Sequence, residues 1–427
     1  PTRTRIAAAR PVGPDLHDPT GRRIHHARNL PAAPTGTDHP RRQKTGGATT
    51  GGMAGWLTVT DRLDNLRAEI HATIDDLVCT GREAGVQVAA YLHGEPIVDA
   101  HAGVADTTTG RPMTAATGVY GVSTGKGLTA TVVHVLAERG HLDYDLRIAD
   151  VWPEFARHGK DHITLRHALT HTAGIPALPA DVTLDDFADW DRMCGIVADA
   201  RPLWTPGHQL AYHAWTFGWI VGEVIRRVTG RRVGDILTED VAAPLGVAGE
   251  LLCGVHPTAQ PGLARMEDGN LSTMLEVFAG QLPHLDRVVP PGVRPDVTLA
   301  TRPDVLAVDV PAVGTLTARA AARMYAALLG PVDGVRLISP HRLRAVSSPA
   351  VRGTEWVFGR ETTWGLGYSI DDDGSFGAAG SGGSLAFAYP RWGLTVAATR
   401  NRLAVGDGDP LQHLRARIRD TVAASAG

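Results

Sequence analysis

The sequence predicts a mixed α/β (α+β) protein in which one antiparallel sheet is flanked by the terminal helices and carries an inserted all-helical subdomain. Three observations support this prediction. A hairpin pattern of two strands lies near the start of the ordered region, helical periods dominate residues 140–260, and three further strand patterns precede a closing helix. The two groups of strands would therefore pair in space across the helical segment.

The first predicted elements are a helix and a hairpin. Apolar residues recur at helical spacing from Val59 to Val78. Val86–His93 and Pro96–Ala102 read as strands that are joined at Gly94-Glu95. A second helix is predicted after Gly121, because its apolar residues fall on one face and Gly140 can end it; these residues are Leu128, Val132, Val133 and Leu136.

The later elements are predicted from the same periodicities. The helices are Leu165–Leu169, Leu184–Ala198, Phe217–Val228, Ala318–Leu329 and Leu411–Ala424. The strands are Trp364–Ile370, Leu385–Tyr389 and Leu394–Thr399. Residues 254–310 are rich in Pro, Val and Asp and are expected to form a long excursion over the surface.

Composition divides the chain of 427 residues into two parts. Residues 1–52 have a net charge of +6 and no apolar period, so they are predicted to be a disordered basic N-terminal extension. Residues 53–427 are predicted to be the catalytic domain. Met53 lies where order is expected to begin, which is consistent with part of the extension lying outside the natural protein.

Charge, hydropathy and cysteine content exclude several functional classes. A net charge of −3 gives no nucleic-acid footprint, and no apolar run is long enough to span a bilayer. The N-terminal arginines are not followed by the apolar region of a secretory signal. The three cysteines form no disulfide framework or metal-ligand spacing. These features predict a cytoplasmic protein without membrane or nucleic-acid partners.

The stretch Gly121-Val122-Ser123-Thr124-Gly125-Lys126 carries the strongest chemical signal. In a helix, side chains three residues apart are neighbours, so the Lys126 amine can serve as base for the Ser123 hydroxyl. The chain has only three lysines, Lys44, Lys126 and Lys160, among its 42 basic residues. Lysine can lose its proton when buried and arginine cannot, which favours a role for a neutral amine at position 126.

The same stretch also fits Gly-x-Ser-x-Gly, the nucleophile elbow of α/β-hydrolases, in which a downstream histidine is the base. That fold needs alternating strands and helices, and residues 140–260 supply too few strands. It is the weaker interpretation. His167 and His171 stand four residues apart, but no third ligand is evident, so a structural role is favoured over zinc binding and no metal or cofactor is expected.

Four motifs together resemble those of serine β-lactamase-like proteins, which include class C β-lactamases, penicillin-binding carboxypeptidases, and related esterases and acyltransferases. The motifs are Ser123-x-x-Lys126, Leu165–Gly174, Trp204-x-Pro206-Gly207 with Tyr212, and Gly380-Ser381-Gly382-Gly383-Ser384. The resemblance covers about residues 55–425, and the phrase from Tyr212 to Trp219 is most similar to the esterase branch.

This resemblance implies a β-lactamase-like fold and an acyl-enzyme mechanism. Ser123, Lys126 and Tyr212 would be catalytic, and the backbone N–H groups of Ser123 and Ser381 would form the oxyanion hole. Lys126 and Tyr212 would form one coupled pair, either amine with phenol or ammonium with phenolate. The expected substrate-binding residues are Trp204, His213, Trp364, Gly380 and Gly382, and Trp215 is a further candidate for the pocket.

Two departures from the family pattern bear on the substrate. Ala378 replaces the cationic or imidazole side chain of the third motif, and Ala214 replaces the Asn of Tyr-x-Asn. Both lost groups bind the amide or carboxylate of a β-lactam, so we expect an apolar site that turns over neutral esters and not penicillins.

Two classes of function remain open at this point. The first is an acyl-enzyme catalyst that cleaves carboxylic esters or amides, either by hydrolysis or by transfer to an amine or alcohol, as an ATP-independent transacylase in natural-product biosynthesis would do. The second is a non-catalytic penicillin-binding-like protein that binds acyl groups or peptides. Intact Ser123, Lys126 and Tyr212 favour catalysis on a small-molecule acyl donor. The acyl group and the oligomeric state are not predicted.

Overall fold

The computed structural model describes residues 59–406 and 408–425. The predicted basic extension, residues 1–52, lies outside the described residues. The helices in chain order are α1 (Val59–Cys79), α2 (Gly125–Glu138), α3 (Ile148–Val151), α4 (Leu165–Leu169), α5 (Leu184–Ala188), α6 (Trp190–Asp199), α7 (Thr216–Thr229), α8 (Val233–Ile236), α9 (Leu271–Gln281), α10 (Leu285–Val288), α11 (Val297–Thr301), α12 (Pro303–Ala307), α13 (Ala318–Leu329), α14 (Pro340–Val346) and α15 (Pro410–Ser425).

The strands are β1 (Gly85–Leu92), β2 (Glu95–Asp106), β3 (Arg111–Pro112), β4 (Val119–Tyr120), β5 (Leu251–Leu252), β6 (Glu267–Asp268), β7 (Thr315–Leu316), β8 (Val351–Thr354), β9 (Glu361–Trp364), β10 (Ser369–Ile370), β11 (Phe376–Ala379), β12 (Leu385–Tyr389), β13 (Leu394–Arg400) and β14 (Arg402–Leu403). Nine of them form the main sheet of the described chain, in the order β3-β2-β1-β13-β12-β11-β10-β9-β8. The pairings within this sheet are antiparallel.

The central pairing of this sheet joins the two ends of the domain. β1 pairs with β13 from Val86 opposite Arg400 to Leu92 opposite Leu394. The intervening chain, from β4 to α14, carries most of the helices. The predicted antiparallel sheet with an insertion between its halves is therefore confirmed. The insertion is mostly helical but not all-helical as predicted, because β4, β7 and β5 form a small three-stranded sheet within it.

The alternation of side chains along the strands gives the sheet two buried faces. On one face, Val88, Val396 and Leu385 pack with α1 and α15, whose apolar stripes include Ile70 and Ile418. On the other face, small residues such as Ala89 and Ala397 belong to the core shared with α2 and α13. Because alanines line this face, helices can approach the sheet closely there.

Two predicted elements differ from the structure. The predicted helix Leu184–Ala198 is broken at Asp189, whose backbone is extended and whose carboxylate caps α6 by accepting from the N–H of Arg192 at 3.0 Å. The predicted strand Trp364–Ile370 is two strands, because Gly367 adopts φ +86° and its N–H donates to Leu169 at 3.0 Å. The predictions for α4, α13 and β12 match the observed bounds.

Residues 254–310 are not the predicted surface excursion. They contain α9, α10, α11 and α12, and several of their apolar side chains are fully buried, including those of Leu271, Val288 and Val293. These helices are short and are separated by prolines, so their apolar periodicity was not recognised in the sequence. The helices α9 and α10 of this segment form one wall of the apolar cavity beside Ser123.

Across the described residues, no helix combines the length and the apolarity that a bilayer crossing would require.

Candidate active site

Ser123 lies in a short 3₁₀ turn, Val122–Thr124, between β4 and α2, and not in the first turn of α2 as predicted. The turn is strained, because Val122 is buried and adopts φ +48°, a region that β-branched residues rarely occupy. Such strain costs of order 1–3 kcal/mol and persists only where surrounding contacts enforce it. The turn raises Ser123 out of the helix while leaving Lys126 within reach.

Lys126 is the second residue of α2, and its side chain is buried beside Ser123. Its Nζ lies 3.1 Å from Ser123 Oγ and 3.1 Å from the carbonyl oxygen of Ala312. The side chain is 2% exposed, and this burial lowers the pKa of Lys126 to about 7. A substantial fraction of the amine is therefore neutral at physiological pH and can accept a proton.

Tyr212 completes the group around Ser123. Burial is the main cause that raises the pKa of Tyr212 to about 12, although its hydrogen bond to Ser123 opposes the shift. The ring centroid lies 5.0 Å from Lys126 Nζ. Because burial disfavours both the ammonium and the phenolate, a neutral amine beside a phenol is favoured over an ammonium beside a phenolate.

Glu355 holds the backbone of Tyr212 and was not found by sequence reasoning. Its carboxylate is 2% exposed and accepts hydrogen bonds from the N–H groups of Tyr212 at 2.6 Å, Val357 at 3.0 Å and Phe358 at 2.7 Å. Glu355 lies 143 residues after Tyr212 and outside any motif, so only the structure reveals the contact. The effect is to fix the loop that follows β8 against the tyrosine.

His167 and His171 make contacts within the fold that hold α4 and the loop around Tyr212. His167 accepts from the N–H of Thr164 at 3.1 Å and completes the N-terminal cap of α4. His171 packs against Tyr212 with ring centroids 4.9 Å apart and ring planes tilted by 51°, and it accepts from the N–H of His213 at 3.1 Å. Among the described residues, no group of three or more His, Cys, Asp or Glu side chains is arranged to hold a metal ion.

The two N–H groups of the predicted oxyanion hole come from two turns that are distant in sequence, the turn of Ser123 and the turn of Ser381. The N–H of Ser123 belongs to the 3₁₀ turn Val122–Thr124 that precedes α2, and the first amides of such a turn lack partners within it. Ser381 occupies the turn between β11 and β12, which is closed by the N–H of Gly383 bonding to the carbonyl of Gly380 at 3.0 Å. That bond does not use the N–H of Ser381, which leaves it available to a ligand.

Two cavities meet at Ser123, Tyr212 and Ser381. The first, the apolar cavity, is the more enclosed and is walled by α9, α10 and the loop after β8; its side chains include Leu271, Leu275, Phe278, Leu285, Val288 and Val357. The second, the polar cavity, is more open and reaches Lys126; its side chains include Arg360, Thr362, Trp364 and Ser369.

The structure places the predicted substrate-binding residues unequally. Trp364 and Gly380 line the polar cavity, and Trp215 and Ala214 line the apolar one. His213 does not reach either cavity, because it is fully buried, with its Nδ1 2.6 Å from the carbonyl of Ala211 and its Nε2 accepting from the N–H of Ile175. The predicted role of His213 in substrate binding is therefore corrected to a structural one.

Trp204 and Gly382 are corrected in the same way. Trp204 packs edge-on against Trp356, with ring centroids 5.1 Å apart, beneath the backbone of Gly174, and lines neither cavity. Gly382 contacts Leu403 on the far side of the hairpin turn. Both positions were identified because they belong to the motifs, but their side chain or backbone packs against other residues of the fold and not against a cavity.

The prediction of an uncharged site holds for only one half of it. Ala378 lines the polar cavity without a charge, as predicted. Arg360, from the turn before β9, lines the same cavity, and no carboxylate of the described residues pairs with its exposed side chain. The polar cavity therefore has a cation that the motif comparison did not reveal.

Comparisons with known proteins agree with this geometry. A family model described as Beta-lactamase matches residues 70–419. The chain is 33% identical over 344 residues to the esterase/beta-lactamase LipL of Mycobacterium tuberculosis, covering 75% of this chain and 78% of that protein.

Two solved structures are similar over most of their length. A family VIII carboxylesterase superposes with a TM-score of 0.75 at 30% identity, covering 84% of this chain and 97% of the other. A penicillin-binding protein homologue from Caulobacter crescentus superposes with a TM-score of 0.73 at 31% identity, covering 86% and 98%. The chain therefore belongs to the beta-lactamase family and is a serine hydrolase.

Proposed function

We propose that the protein hydrolyses carboxylic esters of apolar acyl groups through a covalent acyl-enzyme on Ser123. The observation that carries this proposal is the 3.1 Å contact between Ser123 Oγ and a buried Lys126 whose pKa is lowered to about 7. A neutral amine at that distance can accept the hydroxyl proton as the oxygen attacks.

Acylation follows from the arrangement of these groups. Ser123 Oγ bonds to the ester carbonyl carbon while its proton passes to Lys126, and the carbonyl oxygen becomes an oxyanion that accepts from the N–H groups of Ser123 and Ser381. The tetrahedral intermediate then expels the alcohol, which takes a proton through Tyr212, and Lys126 reprotonates the tyrosine. The products are the acyl-enzyme and the free alcohol.

Deacylation repeats the sequence with water in place of the alcohol. Lys126 borders the polar cavity and not the apolar one, so the attacking water enters from the polar side. The leaving alcohol departs by the same route, and the acyl group stays in the apolar cavity. Ala214 and Ala378 lack the amide and the cation with which the family motifs hold a β-lactam, and this supports esters as the substrates; the cation of the polar cavity, Arg360, lies outside those motifs.

Trapping experiments test the nucleophile and the base. A fluorophosphonate should label Ser123, as mapped by peptide mass spectrometry, and Lys126→Arg should lower kcat on p-nitrophenyl butyrate by about 10²-fold or more. Lys160→Arg is the matched control, since Lys160 is also buried but donates only to the carbonyls of Ala198 and Ala200. Labelling at another serine, or a fully active Lys126→Arg protein, contradicts the mechanism.

The dependence of kcat/KM on pH tests the protonation state of the Lys126 amine. Catalysis needs neutral Lys126, so kcat/KM for a neutral ester should rise tenfold per pH unit below pH 7 and level off above it. Burial lowers the pKa of His213 to about 4 and that of His171 well below its ordinary value, and the pKa of Tyr212 is about 12, so these groups do not titrate in this window. A flat profile from pH 5 to 9, with the fold intact by circular dichroism, would exclude Lys126 as the base.

Acyl-chain selectivity tests the apolar cavity. Leu275 in α9 is 7% exposed and faces the cavity, so Leu275→Trp should shorten it. We expect kcat/KM for octanoate relative to butyrate to fall by about tenfold or more, since each buried methylene contributes roughly 0.8 kcal/mol. Val277→Trp is the control, because Val277 is 41% exposed on the same helix. Equal selectivity in the two variants would place the acyl group elsewhere.

A further inference from the structure

Arg400 lies directly behind the turn that carries Ser381. It is the last residue of β13 and is 2% exposed. Its Nε donates to the carbonyl of Gly382 at 2.6 Å, and its terminal nitrogens donate to the carbonyl of Ala404 at 2.6 Å, to Asp409 at 2.5 Å and to Glu83 at 2.8 Å. The guanidinium therefore holds the residue that follows Ser381 by its backbone.

The turn fits against Arg400 without spare room. Gly383 adopts φ +101°, and a Cβ added there would lie 1.9 Å from the guanidinium. Gly382 adopts φ +106°, and a Cβ there would lie 2.6 Å from a methyl group of Leu403. The two glycines thus let the backbone of the turn rest on Arg400 and Leu403.

The opposite side of the turn is held by the strand and turn around Ser123. Thr124 Oγ1 donates to the carbonyl of Ser384 at 2.8 Å, and a Cβ on Gly380 would lie 2.2 Å from the carbonyl oxygen of Gly121. The N–H groups of Ser123 and Ser381 are therefore set at a fixed separation by contacts on both sides of the hairpin.

Arg400 is itself fixed by both terminal regions of the domain. Glu83 follows α1, and Asp409 precedes α15, where its carboxylate accepts from the N–H of Leu411 at 2.8 Å. The planar guanidinium satisfies two carboxylates and two carbonyls at once, which the ammonium of lysine cannot do with the same geometry. A buried ion pair is seldom a large net source of stability. The position of the Arg400 cluster beneath the Gly380–Gly383 turn therefore points to a role in positioning the backbone of that turn.

We propose that Arg400 is a positioning residue for the oxyanion hole, which orients the Gly380–Gly383 turn so that the N–H of Ser381 meets the developing oxyanion. This inference rests on the proposed function. The role differs from substrate binding, since Arg400 lines neither cavity. Its loss should weaken stabilisation of the transition state and leave binding of the ground-state ester nearly unchanged.

The test compares Arg400→Lys with Arg415→Lys. Arg415 is a matched control because it is also buried, at 9% exposed, and bonds to Tyr389, Asp371 and Ser375, none of which belongs to the Gly380–Gly383 turn. For each variant, active sites are titrated with a fluorophosphonate, and kcat and KM are measured per labelled site. The substrates are a p-nitrophenyl ester and the corresponding thionoester, whose sulfur is a larger and weaker acceptor.

We expect Arg400→Lys to lower kcat on the ester by roughly 10- to 100-fold per labelled site, with KM changed by less than about threefold, because a small misplacement of a catalytic group has effects of this size. The ratio of ester to thionoester turnover should also fall towards unity. Arg415→Lys should lower the melting temperature similarly and keep kcat and this ratio. A kcat and ratio equal to those of the control would overturn the proposal.

Gly383→Ala provides a second variant if Arg400→Lys does not fold. The added methyl group collides with the guanidinium but removes no charge. Gly374→Ala is its control, since Gly374 also has positive φ, +78°, but nothing lies within 4 Å of the added atom. The same drop in the ester-to-thionoester ratio is expected for Gly383→Ala alone. Absence of ester turnover in the unmodified protein would instead refute the proposed function.

Discussion

The burial of the Lys126 amine against Ser123 is the constraint on which the rest of the site depends. A pKa moved from 10.5 to about 7 corresponds to roughly 5 kcal/mol, which is comparable to the whole stability of many domains. Tyr212, Phe217 and the Ala312 carbonyl enclose the amine, and each comes from the inserted helical region. The insertion therefore supplies the dry environment, and the strand-to-helix turn supplies the nucleophile.

The sheet places the other half of the site. Pairing of β1 with β13 closes the domain, and the β11–β12 hairpin brings Ser381 against the turn of Ser123. The apolar cavity is then completed by α9 and α10, which belong to neither half of the sheet. One turn of backbone thus connects the chemistry at Ser123 with the buried cluster around Arg400, so the site depends on residues from both ends of the domain.

Sequence reasoning predicted the fold. It also picked out the three side chains that the structure brings together, Ser123, Lys126 and Tyr212, because each of them lies in a short motif with a local signature. It did not find Glu355 and Arg400, whose importance arises from contacts 143 and 18 residues away in the chain. The scarcity of lysine is weak evidence for a catalytic amine, because Lys160 is also buried but donates to the carbonyl oxygens of Ala198 and Ala200. Trp204, His213 and Gly382 were identified because they belong to the motifs. A motif does not show whether a residue lines the cavity or packs behind the residues that do.

The most direct test of the account is the pKa of Lys126 itself. The sequence has only three lysines, so ¹³C labelling at lysine Cε gives a spectrum of three signals, which Lys126→Met and Lys160→Met assign. We predict that the signal lost in Lys126→Met titrates near pH 7 and that the signal of Lys160 titrates near pH 8. A Lys126 signal that remains protonated above pH 10 would contradict the claim that burial prepares this amine as the base.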